Sequence, residues 1–189
     1  MMAAKMGKIS VNDAVAVLGA GPIGQMALQA AKVHGAPQIY VTDVIDYRLD
    51  YAKKYGAKEI INAAEEDVVS RIREFTDGEG ADVVIDASGA PLAIRQTVDI
   101  VRPGGRIVLV GYPPDDVSLP LPELISKELT IQGIHRYANV YSAAIKAVSQ
   151  GKAVVKPYVT HIFPFEKILE GFETHMKKIG NPMKIQIAM

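Results

Sequence analysis

Short apolar, β-branched runs alternate along the chain with segments whose apolar positions recur every three or four residues. The runs are Ala14–Leu18, Gln38–Thr42, Glu59–Asn62, Asp82–Ala87, Arg106–Val110 and Leu129–Gly133. Between them, Pro22–His34, Asp46–Tyr55, Glu65–Phe75 and Pro91–Val101 carry the helical period. Strands this apolar are buried on both faces, which predicts a parallel sheet covered by helices on either side. The punctuation agrees. Pro22 and Pro91 stand at first-turn positions, and Gly35, Gly56 and Gly104 stand where helices should stop. Asp77-Gly-Glu-Gly80 reads as a turn into the fourth strand. The expected fold is α/β, a doubly wound parallel sheet of about six strands ending near Ile134.

The pattern then changes. Asn139–Gln150 reads as a helix stopped at Gly151, and Val154–Phe163 as extended. Glu166–Lys178 reads as an amphipathic helix and Lys184–Ile187 as a closing strand. These elements are too few for a core of their own, so the tail is expected to pack on something else.

Composition narrows the classes. The chain has 189 residues, 49% of them apolar and 22% charged, which is ordinary globular usage. At roughly 150 residues per domain this is one domain plus an appendage. Lys and Arg total 21, as do Asp and Glu, so no electrostatic pull favours nucleic acid. Cysteine is absent, which excludes disulfides, thiolate metal sites and a cysteine nucleophile within these residues. Residues 14–31 hold 18 positions without a charge, long enough to suggest a membrane helix or a signal peptide. Three glycines and a proline break that stretch into a short β-branched run and a later helical one. No membrane partner is expected, and the simplest location is cytoplasmic.

Within that stretch lies Gly19-Ala-Gly21-Pro-Ile-Gly24, a G-x-G-x-x-G that follows a strand and opens a helix. In that context Gly19 permits a tight turn, and Gly21 lets a pyrophosphate approach the backbone. Gly24 lets helix and strand pack closely, with Pro22 and Ile23 in the first helical turn. Asp43 ends the next strand, 19 residues after Gly24, where an acid accepts hydrogen bonds from adenosine ribose hydroxyls. A tight turn and a helix-capping acid is the plainer reading. Strand, spacing and acid in one register favour a Rossmann-type dinucleotide site. A carboxylate at Asp43 repels a 2′-phosphate and neither Val44 nor Ile45 offers a cation, so NAD is expected over NADP. Arg48 lies over the adenine side or is a solvated helix charge.

Ligands in such folds sit at the carboxyl ends of the strands. Strand five ends in Val110-Gly111-Tyr112 and strand six in Ile134-His135-Arg136-Tyr137. These segments are candidates for holding a nicotinamide and meeting a substrate, although the first could be an ordinary turn. The histidines His34, His135, His161 and His175 have no second ligand at i+3 or i+4, and no metal site is expected here. The acids at Glu65–Asp67 and Asp115–Asp116 read as a helix start and a solvated loop. No catalytic residue is assigned.

Val17-Leu-Gly-Ala-Gly-Pro-Ile-Gly24, Val41-Thr-Asp43 with Arg48, Arg102-Pro-Gly-Gly105 and Leu109-Val-Gly111 resemble the zinc-containing medium-chain alcohol dehydrogenases. Gly133-Ile-His-Arg-Tyr137, Lys156-Pro-Tyr-Val-Thr-His161 and Phe163-Pro-Phe-Glu-Lys167 are similar more specifically to sorbitol (polyol, xylitol) dehydrogenases. The resemblance implies that residues 9–134 are an NAD-binding domain and 135–189 a segment returning to a catalytic domain. It implies that Gly19, Gly21, Pro22, Ile23, Gly24, Asp43 and Arg48 hold pyrophosphate and adenosine. Val110, Gly111, Tyr112, Ile134, His135 and Arg136 would hold the nicotinamide half, and Arg136 and Tyr137 would face a polyol or related alcohol. Zinc and its Cys, His and Glu ligands would belong to an N-terminal catalytic domain absent from this sequence, so the chain alone is expected to be inactive. His135 stands where polyol dehydrogenases often have an aromatic. A homo-oligomer joined through Leu129–Gly133 is also implied. The rival readings are a non-catalytic NAD sensor, a zinc-free NADPH-dependent reductase and a methyltransferase.

Overall fold

The computed structural model describes residues 1–189 and divides them into two units, Met1–Ala153 and Val154–Met189. In the first unit the strands are β1 (Ala14–Leu18), β2 (Gln38–Asp43), β3 (Glu59–Asn62), β4 (Ala81–Asp86), β5 (Val101–Leu109) and β6 (Thr130–Gly133). They form one parallel sheet in the order β3-β2-β1-β4-β5-β6. The helices are α1 (Met2–Met6), α2 (Pro22–Val33), α3 (Asp46–Tyr55), α4 (Val68–Phe75), α5 (Pro91–Ile100), α6 (Leu121–Ser126) and α7 (Tyr141–Ser149). This is the expected doubly wound architecture.

Strand alternation explains the layers. Val15, Val17, Ile39, Val41, Val83, Ile85 and Val108 pack with residues of α1, α2 and α3, among them Ala4, Leu28 and Leu49. Their alternate neighbours Ala16, Leu18, Tyr40, Val84 and Ile107 pack with Val68, Ile72 and Val98 of α4 and α5. A period of two thus sends successive side chains into two separate cores. Tyr40 is buried, stacked on Phe75 at 5.4 Å, and its hydroxyl donates to the Phe75 carbonyl at 2.8 Å. Burial pushes that hydroxyl's pKa above the ordinary tyrosine value, with the Asp77 and Glu59 charges adding to the effect.

Several boundaries differ from those read in the sequence, each for a local reason. Helix α4 begins three residues later than Glu65, because the Asp67 side chain accepts the Ser70 N–H at 2.7 Å and so caps it. Hydrogen bonding from the Ser70 side chain, and then from its backbone N–H, holds the exposed Asp67 carboxyl below the usual aspartate range. The N–H groups of Glu65 and Glu66 turn instead to the Asn62 carbonyl. Strand β5 starts at Val101, which pairs with Ala81 before a bulge carries the register to Arg106. It ends at Leu109, because the N–H groups of Val110 and Gly111 both turn to the Asp86 carbonyl. Asn139 has φ +60° and lies outside α7. Two short helices, α1 and α6, were not expected.

The uncharged stretch at residues 14–31 is β1, the glycine loop and most of α2, and no helix is long and apolar enough to cross a membrane. Just before β1, Asp13 is buried and paired with Arg106 at 2.9 Å.

The second unit is a parallel pair, β7 (Val159–Pro164) and β8 (Lys184–Ala188), with α8 (Ile168–Met176) across it. A 3-10 turn at Phe165–Lys167 replaces the expected first turn of that helix. Gly171 lies against Phe163 and Ile187, while Leu169, Phe172 and Met176 of α8 stay exposed.

Candidate functional site

The carboxyl ends of the strands align. Leu18 pairs with Thr42 and Asp86, Asp86 with Leu109, and Leu109 with Gly133. The strand order reverses between β1 and β4, the switch point at which open α/β sheets bind ligands. A cleft of about 280 Å³ opens there, lined by Gly19, Gly21, Asp43, Arg48, Ser88 and neighbouring residues.

The glycine motif builds its floor. Gly19 has φ +95°, and its N–H donates to the Thr42 carbonyl at 2.8 Å. A side chain on Gly19 would press on Ser88 at 3.0 Å, and a methyl on Gly24 would run into the Gly19 carbonyl oxygen. Gly21 differs: only the Arg48 guanidinium comes near, at 3.9 Å from where a Cβ would stand. Close packing beneath and open space above is the arrangement that lets a bulky anion reach backbone N–H groups. The N–H groups of Gly21, Ile23 and Gly24 have no carbonyl or side-chain acceptor of their own.

Asp43 closes one side. Its Oδ2 accepts the Ala20 N–H at 2.7 Å, and its Oδ1 accepts those of Val44 at 2.8 Å and Ile45 at 3.0 Å. Three donated N–H bonds fix an acceptor-only carboxylate at the cleft wall. Arg48 forms a loose ion pair with it at 3.9 Å.

The other expected residues are brought together in part. Ile23, Val110, Ile134 and Tyr137 line a second, smaller cleft of about 110 Å³, together with Met1 to Ala3 at the start of the chain. Gly111, Tyr112, His135 and Arg136 line neither cleft. Tyr112 is 86% exposed with its ring 6.4 Å from that of His135. The Arg136 guanidinium turns back to the His135 carbonyl at 3.5 Å.

Sequence reasoning missed Asp86, Ser88 and Gln25. Asp86 is fully buried; its carboxylate accepts the Ser88 hydroxyl at 2.7 Å and the N–H groups of Ser88 and Gly89. With its carbonyl holding Val110 and Gly111, this one residue clamps the loops after β4 and β5. The crossing is tight, since side chains on Gly89 or Gly111 would collide with the facing loop. An acid ending an apolar strand just before Ser-Gly was the available signal.

No cluster of three or more His, Asp or Glu side chains is placed to hold a metal. These residues do not make a zinc site, whereas the glycine cradle and Asp43 fit the diphosphate and ribose of a dinucleotide.

Fold and cleft together define a dinucleotide-binding domain. The model of the zinc-binding dehydrogenase family matches residues 22–150, and the chain belongs to that family. It is 40% identical over 171 residues to L-threonine 3-dehydrogenase of Caldanaerobacter subterraneus, covering 88% of this chain and 49% of that protein. It is 38% identical over 182 residues to sorbitol dehydrogenase of Ovis aries, covering 95% and 51%. A solved Escherichia coli oxidoreductase/dehydrogenase of unknown specificity superposes with a TM-score of 0.93 at 37% identity, covering 99% of this chain and 54% of its own. The chain spans about half the length of the relatives it matches.

Proposed function

We propose that this chain is the NAD-binding part of a zinc-type dehydrogenase moving hydride between NAD and a secondary alcohol of the sorbitol or xylitol kind. The observation that carries this reading is the cleft at the β1/β4 switch point, where open glycine backbone meets a fixed carboxylate. Residues 9–134 would form the NAD-binding domain and 135–189 the segment returning to a catalytic domain. Likeness to both a threonine and a sorbitol dehydrogenase supports a secondary alcohol as substrate. The polyol assignment rests on the Arg136-Tyr137 and Val159-Thr-His161 segments.

Each residue has a physical task. Gly21, Ile23 and Gly24 offer N–H groups to the pyrophosphate at the positive end of α2. Asp43 accepts from the ribose hydroxyls and repels a 2′-phosphate, which favours NAD. Arg48, held near Asp43, borders the adenosine. Val110 and Ile134 supply an apolar wall for the nicotinamide, with the backbone of Gly111, Tyr112, His135 and Arg136 at its edge. A nicotinamide held there would supply the acceptor for the hydride of the alcohol carbon. Arg136 and Tyr137 orient the polyol hydroxyls; for Arg136 this requires the guanidinium to leave the His135 carbonyl.

The test is NADH formation from sorbitol and xylitol, with zinc, by the chain alone and by the chain mixed with a family catalytic half. Turnover is expected only in the mixture, and Arg136→Ala should abolish it. Steady turnover by the chain alone would overturn the division of labour. No turnover in a mixture whose two halves demonstrably associate would overturn the polyol assignment.

A further inference from the structure

One buried polar side chain beneath the cleft does more than pack. Gln25 lies on the inner face of α2 and is fully buried. Its Nε2 donates to the Ala20 carbonyl at 3.0 Å and to the Arg48 carbonyl at 2.8 Å. Both neighbours are acceptors, so the amide nitrogen must face them. The other end, Oε1, is buried with no partner. A buried acceptor without a donor is destabilising, and native structures keep few of them. An apolar side chain of similar shape would remove that penalty, at the cost of the two bonds that Nε2 donates. The presence of Gln25 beside a binding cleft points to a role that methionine or leucine cannot fill.

The role follows from the peptide it grips. Ala20 is held at both ends, its N–H by Asp43 Oδ2 at 2.7 Å and its carbonyl by Gln25. The peptide linking Ala20 to Gly21 is trans, as are all in the chain. In a trans peptide the C=O and the following N–H point in opposite directions. Drawing the Ala20 carbonyl down onto Gln25 therefore turns the Gly21 N–H up, on the residue that lines the cleft. The second bond reaches the main-chain carbonyl of Arg48 near the start of α3.

We propose that Gln25 is a positioning residue for dinucleotide binding, orienting the Ala20–Gly21 peptide so that the Gly21 N–H meets the ligand's diphosphate. This rests on the cofactor reading given above. Gln29, one turn further along α2, is the natural control. It is buried on the same helix and donates to the Tyr55 carbonyl at 2.9 Å, at the far end of α3 and away from the glycine loop.

The experiment compares wild type, Gln25→Met and Gln29→Met in the full chain, measuring ligand-free melting temperature and affinities for ADP-ribose and adenosine. Gln25→Met removes the orphan acceptor but also the donor to the Ala20 and Arg48 carbonyls, so its melting temperature should stay near the wild-type value. It should bind ADP-ribose about tenfold more weakly, equivalent to about 1.4 kcal/mol, and leave adenosine binding unchanged. Gln29→Met should leave ADP-ribose affinity at the wild-type value. Gln25→Leu gives the same comparison if methionine overpacks the site. Wild-type affinity for ADP-ribose in both Gln25 variants would overturn the proposal alone. So would an equal loss for both ligands with a lowered melting temperature, which marks a structural role. A wild-type chain with no affinity for ADP-ribose would overturn the cofactor reading, and this proposal with it.

Discussion

A methyl group at Gly24 would collide with the Gly19 carbonyl oxygen, whereas one at Gly21 would meet only the mobile end of Arg48. Gly24→Ala is therefore expected to destabilise the fold by about 1–3 kcal/mol, the usual effect of overpacking, and to abolish NAD binding with it. Gly21→Ala should fold as well as wild type and still bind NAD more weakly, since its methyl projects where the diphosphate must approach. Thermal melting and NAD titration of both variants check this contrast; equal melting losses would mean that the two glycines share one structural task. The motif glycines and Asp43 were legible because their order and spacing are local. Asp86 and Gln25 were not. Asp86 matters because β4 and β5 end side by side, which no local window reveals. Gln25 matters because a buried helix face carries an amide, and its partners at Ala20 and Arg48 are set by the packing of α2 on α3.

Strand β6 shows what an element can do that no single residue can. It pairs only with β5, it ends the sheet, and all four of its residues are exposed. An unpaired edge of this kind offers N–H and C=O groups to another strand. Self-association through β6 is expected, and Ile131→Lys should weaken it by placing a charge on the edge. Sedimentation at rising concentration checks this; a wild-type chain that stays monomeric throughout would contradict it. The long periodic elements of the first unit were readable to within a few residues, since both faces of β1, β2 and β4 are apolar and the helices keep their stripes. Helices α1 and α6 have only five and six residues, too short for a period to declare itself. The late start of α4 was decided by one hydrogen bond from the Ser70 N–H to the Asp67 side chain, which composition alone could not place.

At the level of the whole molecule, the first unit has two cores, one on each face of its sheet, and a cleft at the strand switch point. The second unit is a small parallel pair under one helix, with Leu169, Phe172 and Met176 exposed along that helix. On the proposed reading the carboxylate wall and the glycine floor hold the cofactor, and Asp43 selects NAD. Facing Asp43, a 2′-phosphate should lose at least about 1.4 kcal/mol, a tenfold factor in affinity. The direct measurement is calorimetric titration of the chain with NAD and with NADP at one ionic strength. NAD should bind, and NADP should bind at least about tenfold more weakly. Equal affinities, or no binding of either, would contradict the claim that this cleft is an NAD site.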